Sequence, residues 1–264
     1  MGEQVRVLDK ADLIQQLVEH SFLFRGMDHQ WLRDRLPPDS LMQEKLYSSR
    51  AIFNAFQPDT YLDCLYIILK GGPVVLRSTP LDRIIAMTYA GGAFGMRNLS
   101  LGCGQVMRAF PSLVEAYKTT DVVKIPLRFL QILYDESEVF RTRYGLLLEL
   151  REKFQYHLLN CSAYPPQAVA ALLRALVYQE RSLGTQPDPD DTFRFDLPVD
   201  IISHACQLNH RTVEQVLKGM GKQGILKSGR VSDSQGDWVC VANPEGLKGV
   251  YSSTRDKVSW WPLK

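Results

Sequence analysis

The chain has 264 residues, which is long for one typical domain and comfortable for two. Hydrophobic residues make up 45% and charged residues 23%, so the chain can bury a core and wholesale disorder is excluded. The formal net charge is only +2, which excludes a uniformly basic surface but is compatible with a local basic patch.

The lack of a recognisable targeting signal and the spacing of the cysteines predict a cytoplasmic protein. No run approaches the ~18 apolar residues of a membrane helix, and the N-terminus carries mixed charges without a secretory pattern. The cysteines lie far apart, without metal-ligand or redox-motif spacing: Cys64, Cys103, Cys161, Cys206 and Cys240. We therefore expect reduced thiols, no metal site and no membrane association.

The first part of the chain is predicted to be a β-sandwich or jelly roll that follows a short helical region. The helical region is indicated by apolar residues such as Leu13 and Leu17, and again by Trp31 and Leu32. Short apolar runs bounded by Gly, Pro, Asp or Thr follow at 51–56, 65–69, 74–76, 84–87 and 122–125. Strands of this length and spacing are typical of a sandwich or jelly roll.

The middle segment is predicted to be one long helix from Leu127 to about Leu159. Six residues at mostly three- and four-residue steps form an apolar seam along it: Phe140, Leu147, Leu150, Phe154, His157 and Cys161. The seam either packs on its own sandwich or pairs two protomers, and its length favours a dimer. Tyr164-Pro-Pro-Gln167 is predicted to break the helix and form a hinge.

The last hundred residues are predicted to form a second domain of helices and a hairpin. Helical patterns cover Gln167–Gln179, Pro198–Cys206 and Asn209–Gln223, and Phe193–Leu197 alternates like a strand. Ile225–Val231 and Trp238–Val241, with a polar turn between them, indicate a hairpin. The tail from about Ser252, which contains Trp260 and Trp261, has no clear assignment.

The two helices near residue 208 are predicted to form a helix-turn-helix. Pro198 suits the first turn of the first helix, and Asn209 can cap the second helix with its side-chain oxygen. Between Asn209 and Arg230 there are five Lys or Arg residues and one acid, a local charge of +4. The alternative is an ordinary solvated basic face on a three-helix module.

A basic helix of this kind suits the major groove of double-stranded DNA. Arg can bridge guanine O6 and N7, Asn and Gln can pair with adenine, and Lys can neutralise phosphates. We predict that the hairpin acts as a wing over the adjacent backbone. The candidate DNA-binding residues are Asn209, His210, Arg211, Thr212, Gln215, Lys218, Lys222 and Arg230.

From about Phe22 to Leu247 the chain resembles the catabolite-activator/FNR family of bacterial transcription regulators. The resemblance is carried by Phe24-Arg-Gly-Met27, Ala51-Ile-Phe53, Leu65–Gly71, Gly92-Ala-Phe-Gly95 and the span Leu197–Leu217. It implies an α+β fold with a β-roll sensor (residues 1–126), a dimerisation helix (127–162) and a winged helix-turn-helix (163–264). It also implies a homodimer on DNA, with RNA polymerase or another regulator as a further partner.

The chain departs from the family's pattern at the positions that read bases. His210, Arg211 and Gln215 stand where the family usually has Arg, Glu and Arg. A guanidinium in place of the carboxylate removes the usual contact to a cytosine amine, so we expect a different operator sequence. Gln207 also occupies a turn position where the family often has Gly.

The effector pocket departs as well, and we predict that it does not bind cyclic AMP. Met96 stands where cyclic-AMP-binding members have Glu, and Phe110-Pro111 fall where they have Arg-Ser. An anion buried against these side chains would lack a partner, which costs several kcal/mol. Because the alignment holds an insertion here, Arg97 or Arg108 can still reach the pocket.

Two alternatives remain for control of the protein. One is regulation by abundance or a partner protein without any ligand. The other is a different anionic second messenger, such as cyclic di-GMP, to which some members of the family, including cyanobacterial ones, respond. Arg6-Val-Leu-Asp9 and Arg25-Gly-Met-Asp28 both match an Arg-x-x-Asp pattern that can hold a guanine or a phosphate, although such matches also arise as surface ion pairs.

Catalysis is not expected. The five histidines show no paired metal-ligand spacing, and no nucleophile elbow or phosphate-cradling Gly-rich loop with Lys is present in the sequence. The main competitor to a DNA-binding regulator is a protein-interaction module that keeps the fold without binding DNA. The orientation of His210, Arg211 and Gln215 distinguishes the two.

Overall fold

The computed structural model describes residues 10–37, 40–48, 50–54, 62–78, 83–101, 113–159, 163–233, 236–252 and 258–262. The chain divides into two compact units. The first comprises Met1–Asp82 with Ala86–Arg151, and the second comprises Arg83–Ile85 with Glu152–Lys264.

The first unit is a β-roll that follows two short helices, as the sequence predicts. The helices are α1 (Lys10–His20) and α2 (His29–Arg35). The strands are β1 (Met42–Leu46), β2 (Ala51–Asn54), β3 (Cys64–Lys70), β4 (Val74–Ser78), β5 (Arg83–Thr88), β6 (Ala93–Phe94), β7 (Leu113–Ala116) and β8 (Thr120–Pro126). They form two four-stranded sheets, ordered β1-β8-β3-β6 and β2-β7-β4-β5.

The β-roll core consists of the apolar residues that identified the strands in the sequence. Leu65, Ile67 and Ile68 of β3 are fully buried, and so are Val122 and Val123 of β8, with which β3 pairs antiparallel. Burial of β-branched and leucine side chains on these strands supplies the main stabilisation of the unit. Sequence reasoning missed β1, β6 and β7, because each is short and only partly apolar.

The prediction of one long helix from Leu127 is wrong. The structure has α3 (Leu127–Glu136) and α4 (Glu138–Leu159), and Ser137 between them is extended, with φ −119° and ψ 112°. The Ser137 hydroxyl accepts a hydrogen bond from the amide of Phe140 at 3.2 Å, so it caps the start of α4. Because Ser137 is extended, α3 ends before it, and its side chain caps the start of α4.

The apolar seam of α4 packs within its own protomer. Phe140, Leu147, Leu150 and Phe154 are all buried in the single chain, and the ring of Phe140 lies 5.5 Å from that of Phe24. This is the first of the two interpretations of the seam, and the homodimer stays a prediction. The side chain of His157 and the whole of Cys161 lie outside the described residues.

The second unit contains a winged helix-turn-helix and two further helices. Its elements are α5 (Pro165–Ser182), β9 (Phe193–Asp196), α6 (Val199–Cys206), α7 (His210–Lys222), β10 (Leu226–Asp233), β11 (Gly236–Val241) and α8 (Pro244–Ser252). The three strands form one antiparallel sheet ordered β10-β11-β9. Pro165 and Pro166 occupy the first turn of α5, where a missing amide is harmless, so they begin a helix rather than only breaking one.

Candidate nucleic-acid interface

The turn between α6 and α7 keeps a left-handed residue without glycine. Gln207 ends α6 with φ 53° and ψ 44°, a conformation that glycine adopts at little steric cost and that other residues seldom adopt. The amide of Leu208 then donates to the carbonyl of Ser203 at 3.0 Å, which closes the end of α6. The departure from Gly at this position therefore leaves the turn intact.

Asn209 caps α7 as the sequence predicts. Its backbone is extended, with φ −77° and ψ 157°, and its side-chain oxygen accepts from the amide of Thr212 at 2.8 Å. Such a cap satisfies one of the first-turn amides that have no partner within the helix. The cap fixes where α7 begins and therefore which side chains occupy its first turn.

The two faces of α7 differ sharply in exposure. Val213, Val216 and Met220 are fully buried and attach the helix to its unit. The opposite face carries the candidate DNA-binding residues of this helix: Asn209, His210, Arg211, Lys218 and Lys222 are exposed, and Thr212 and Gln215 are half-buried. Polar and cationic side chains are thus presented outward on a well-anchored helix, an arrangement that can enter a groove.

Sequence reasoning missed an acidic neighbour of His210. The Nε2 atom of His210 lies 3.1 Å from a carboxylate oxygen of Asp200 on α6, and both side chains are more than half exposed. The carboxylate orients the imidazole and offsets positive charge at the leading end of α7. No short-range signal reveals this pair, because the two residues are ten positions apart and on different helices.

The hairpin predicted as a wing is present, with longer strands than expected. Ser232 pairs with Asp237 within the ladder, so part of the predicted polar turn is strand. Arg230 lies opposite Val239, and its side chain lies outside the described residues. Lys227 forms an ion pair with Asp190, whose pKa it lowers by a side-chain hydrogen bond.

The segment from Gly92 to Arg97, here called the cassette segment, is tightly held in the first unit. Gly95 has φ 83°, and a Cβ there would overlap the carbonyl oxygen of Cys64. Met96 and Arg97 are both buried. The hydroxyl of Tyr144 on α4 accepts from the Arg97 amide at 3.0 Å and donates to the Arg97 carbonyl at 2.8 Å.

Only some of the residues predicted to bind an effector lie within the described part of the chain. Arg97 is a buried guanidinium beside Met96, whereas Arg6, Asp9 and Arg108 lie outside the described residues, as do Phe110-Pro111. In the second Arg-x-x-Asp match, the carboxylate of Asp28 accepts from the amide of Trp31 at 2.7 Å and caps α2. That aspartate therefore has a structural role in the described fold.

The described residues offer no cluster that suggests a metal centre. No group of three or more His, Cys, Asp or Glu side chains within them could hold an ion. Cys64, Cys206 and Cys240 are free and buried, and burial raises the pKa of the Cys64 thiol to about 11, so it stays protonated. Within the same residues, no helix is both long and apolar enough to cross a membrane.

The fold is a β-roll of the cyclic-nucleotide-binding type followed by helices and a winged helix-turn-helix. Solved structures share it. FixK2 from Bradyrhizobium japonicum aligns with a TM-score of 0.56 and 18% identity, over 79% of this chain and 96% of that one. A CooA variant from Carboxydothermus hydrogenoformans aligns with a TM-score of 0.55 and 17% identity, over 81% and 89%.

The chain matches none of the protein-family models and none of the curated proteins with which it was compared. At 17–18% identity the two structures establish the fold, and the function has to be argued from the site.

Proposed function

We propose that this protein is a sequence-specific, DNA-binding transcription regulator of the catabolite-activator/FNR type. The observation that carries the proposal is the capped helix α7, which buries one apolar face and presents His210, Arg211 and Lys218 outward. The shared fold with FixK2 and CooA supports it, since it supplies the same order of β-roll and winged helix. An interaction module that no longer binds DNA would not need this cationic face.

The regulator is proposed to act as a homodimer. Two copies of α7 about 34 Å apart would meet successive major grooves of a pseudo-palindromic site. In this scheme residues 1–126 sense the effector, 127–162 pair the protomers, and 163–264 bind DNA. Because the seam of α4 is buried in its own chain, we expect the pairing surface to use the exposed side of α4, which includes Val139 and Tyr156.

The direct test is to select duplexes from a random library and then compare variants on the selected site. Arg211→Ala is expected to cost about 1–3 kcal/mol and to relax specificity at one base pair. Lys218→Ala should weaken all duplexes alike and reduce the salt slope by about one. Fluorescence anisotropy over a range of salt concentrations measures both effects.

Lys248→Ala is the matched control, because Lys248 is an exposed cation on α8, away from α7 in sequence. It should bind every duplex as the parent protein does. If Arg211→Ala also binds every selected duplex as the parent does, the assignment of α7 is wrong. If the parent protein selects no duplex, the interaction module is the better description.

For the sensor we propose an anionic effector other than cyclic AMP, with cyclic di-GMP as the compound to test. Met96, in the place of the family's ribose-binding Glu, is buried and offers a ribose hydroxyl only a weak thioether acceptor in place of a carboxylate. Arg97, next to it, is a buried cation that can offset the charge of a bound phosphate. The remaining alternative is control by a partner protein or by abundance.

Calorimetric titration separates these possibilities. Saturable binding of cyclic di-GMP that is lost in Arg97→Gln would support the proposal, and a thermal shift should accompany it. Micromolar affinity for cyclic AMP would contradict it. If neither nucleotide binds, the sensor has another input and the cyclic di-GMP proposal is eliminated.

A further inference from the structure

The C-terminal tail returns to the DNA-binding unit and contacts α7. The described part of the tail is the short segment Val258–Pro262. The ring of Trp260 in this segment lies directly over the backbone of Gly219, so that a Cβ on Gly219 would stand 2.5 Å from Cε3 and 2.6 Å from Cζ3. The absence of a side chain at 219 is therefore what makes room for the indole.

The segment folds back on itself. The amide of Trp261 donates to the Val258 carbonyl at 3.2 Å, which folds the segment into a turn. The ring of Trp261 meets that of Trp260 edge-on, with centroids 6.4 Å apart. The indole of Trp260 that contacts α7 thus belongs to a compact turn.

The contact point lies close to candidate DNA-binding residues along α7. Gly219 is one turn after Gln215 and one turn before Lys222, two candidate DNA-binding residues on the same helix. It is also the acceptor for the amide of Gln223, which ends α7. The ring therefore contacts α7 between the two turns that carry these side chains.

We infer that Val258–Pro262 is a strap that positions α7 for DNA. Trp260 is its positioning residue, and Gly219 is the residue of α7 that the indole contacts. The inference rests on the proposed function, because the strap matters to activity only if α7 enters a groove. Pre-organising a recognition element raises affinity by reducing the ordering that binding requires. The strap therefore contributes to DNA affinity without touching DNA.

A double-mutant cycle at positions 219 and 260 tests the inference. Trp260→Ala is expected to weaken binding to the selected duplex about tenfold, and Trp260→Phe should restore most of the loss. Gly219→Ala alone should weaken binding about fivefold, because its methyl group displaces the indole. In the Trp260→Ala background the same change should have less than a twofold effect, since no ring remains to be displaced.

Two controls separate positioning from general stability. Gly249→Ala changes a helical glycine of the same unit with nothing within 4 Å of the added Cβ, and it should leave DNA binding unchanged. Leu247→Ala removes a fully buried side chain of α8 and should lower the melting temperature while the folded protein still binds normally. Equal loss of DNA affinity in Leu247→Ala and Trp260→Ala would overturn the positioning role.

Hydrogen exchange without DNA keeps the two proposals distinguishable. The amides near the end of α7 should exchange faster in Trp260→Ala than in the parent, with those of α5 unchanged. If the parent binds no duplex but this change is seen, the proposed function fails and the strap contact stands. If α7 exchanges identically in both proteins and the cycle shows no coupling, the strap proposal is wrong.

Discussion

The cassette segment of the first unit and α7 of the second unit place polar groups in opposite environments. In the cassette segment, the backbone polar groups of Arg97 are buried and both are paired by one hydroxyl, that of Tyr144. On α7, the side chains of His210 and Arg211 are exposed to solvent. A buried polar group is costly to leave unpaired, whereas an exposed one is solvated at no such cost.

The difference indicates what each region contributes. Substitutions in the cassette segment should change the stability of the fold, because their partners are inside the protein. Substitutions on the outer face of α7, apart from the capping residue Asn209, should change binding and leave stability nearly unaltered. Each of the following predictions tests one side of this contrast.

The largest expected effect is on Gly95. Gly95→Ala should destabilise the first unit by about 3 kcal/mol or more, because the new Cβ overlaps the Cys64 carbonyl and the positive φ disfavours any side chain. Denaturant unfolding measures the change. Gly26→Ala is the control: its φ is also positive at 68°, but nothing lies within 4 Å, so only the backbone cost of about 1 kcal/mol is expected. Equal losses in the two variants would contradict the steric account.

A smaller loss is expected at Tyr144. Tyr144→Phe keeps the ring but leaves the amide and the carbonyl of Arg97 without the hydroxyl, at a cost of about 1–3 kcal/mol. Tyr156→Phe removes a hydroxyl from an exposed ring of the same helix and should change stability by less than about 0.5 kcal/mol. Thermal unfolding of both variants checks the contrast, which fails if the two melt alike.

The smallest of these effects is expected at the cap of α7. Asn209→Ala should cost about 1 kcal/mol, because the Thr212 amide loses its acceptor. Asn209→Asp keeps an oxygen in the same place and should retain most of the stability. If Asn209→Ala melts like the parent protein, the cap does not hold the start of α7, and the environment of His210 and Arg211 must be fixed in another way.

The sequence predicts the helix-turn-helix around α7 well and the contacts of the cassette segment poorly. The helical period at Val213 and Val216, the capping preference of Asn209 and the position of Pro198 are local signals, so α6, α7 and the hairpin could be derived from short stretches. The strands of the β-roll were found for the same reason wherever they are continuous apolar runs. Short strands such as β6 carry no comparable signal.

The features that sequence reasoning missed are contacts between distant residues. The Tyr144 hydroxyl meets a backbone 47 positions away, and the Asp200 carboxylate meets His210 across a turn. Ser137 interrupts a strongly helical pattern because its hydroxyl caps the next helix, which periodicity alone does not reveal. The contact between Trp260 and Gly219 joins a tail without periodicity to a helix 41 positions earlier.

The inward packing of the α4 seam has a consequence for assembly. Since Phe140, Leu147 and Leu150 are already covered, the outer side of that helix offers a partner Val139 and Tyr156 among charged neighbours such as Glu149 and Glu152. Mixed surfaces of this kind are typical of transient rather than obligate complexes. A pair of protomers joined there would come apart on dilution and exchange subunits, so occupancy of an operator would rise with more than the first power of protein concentration.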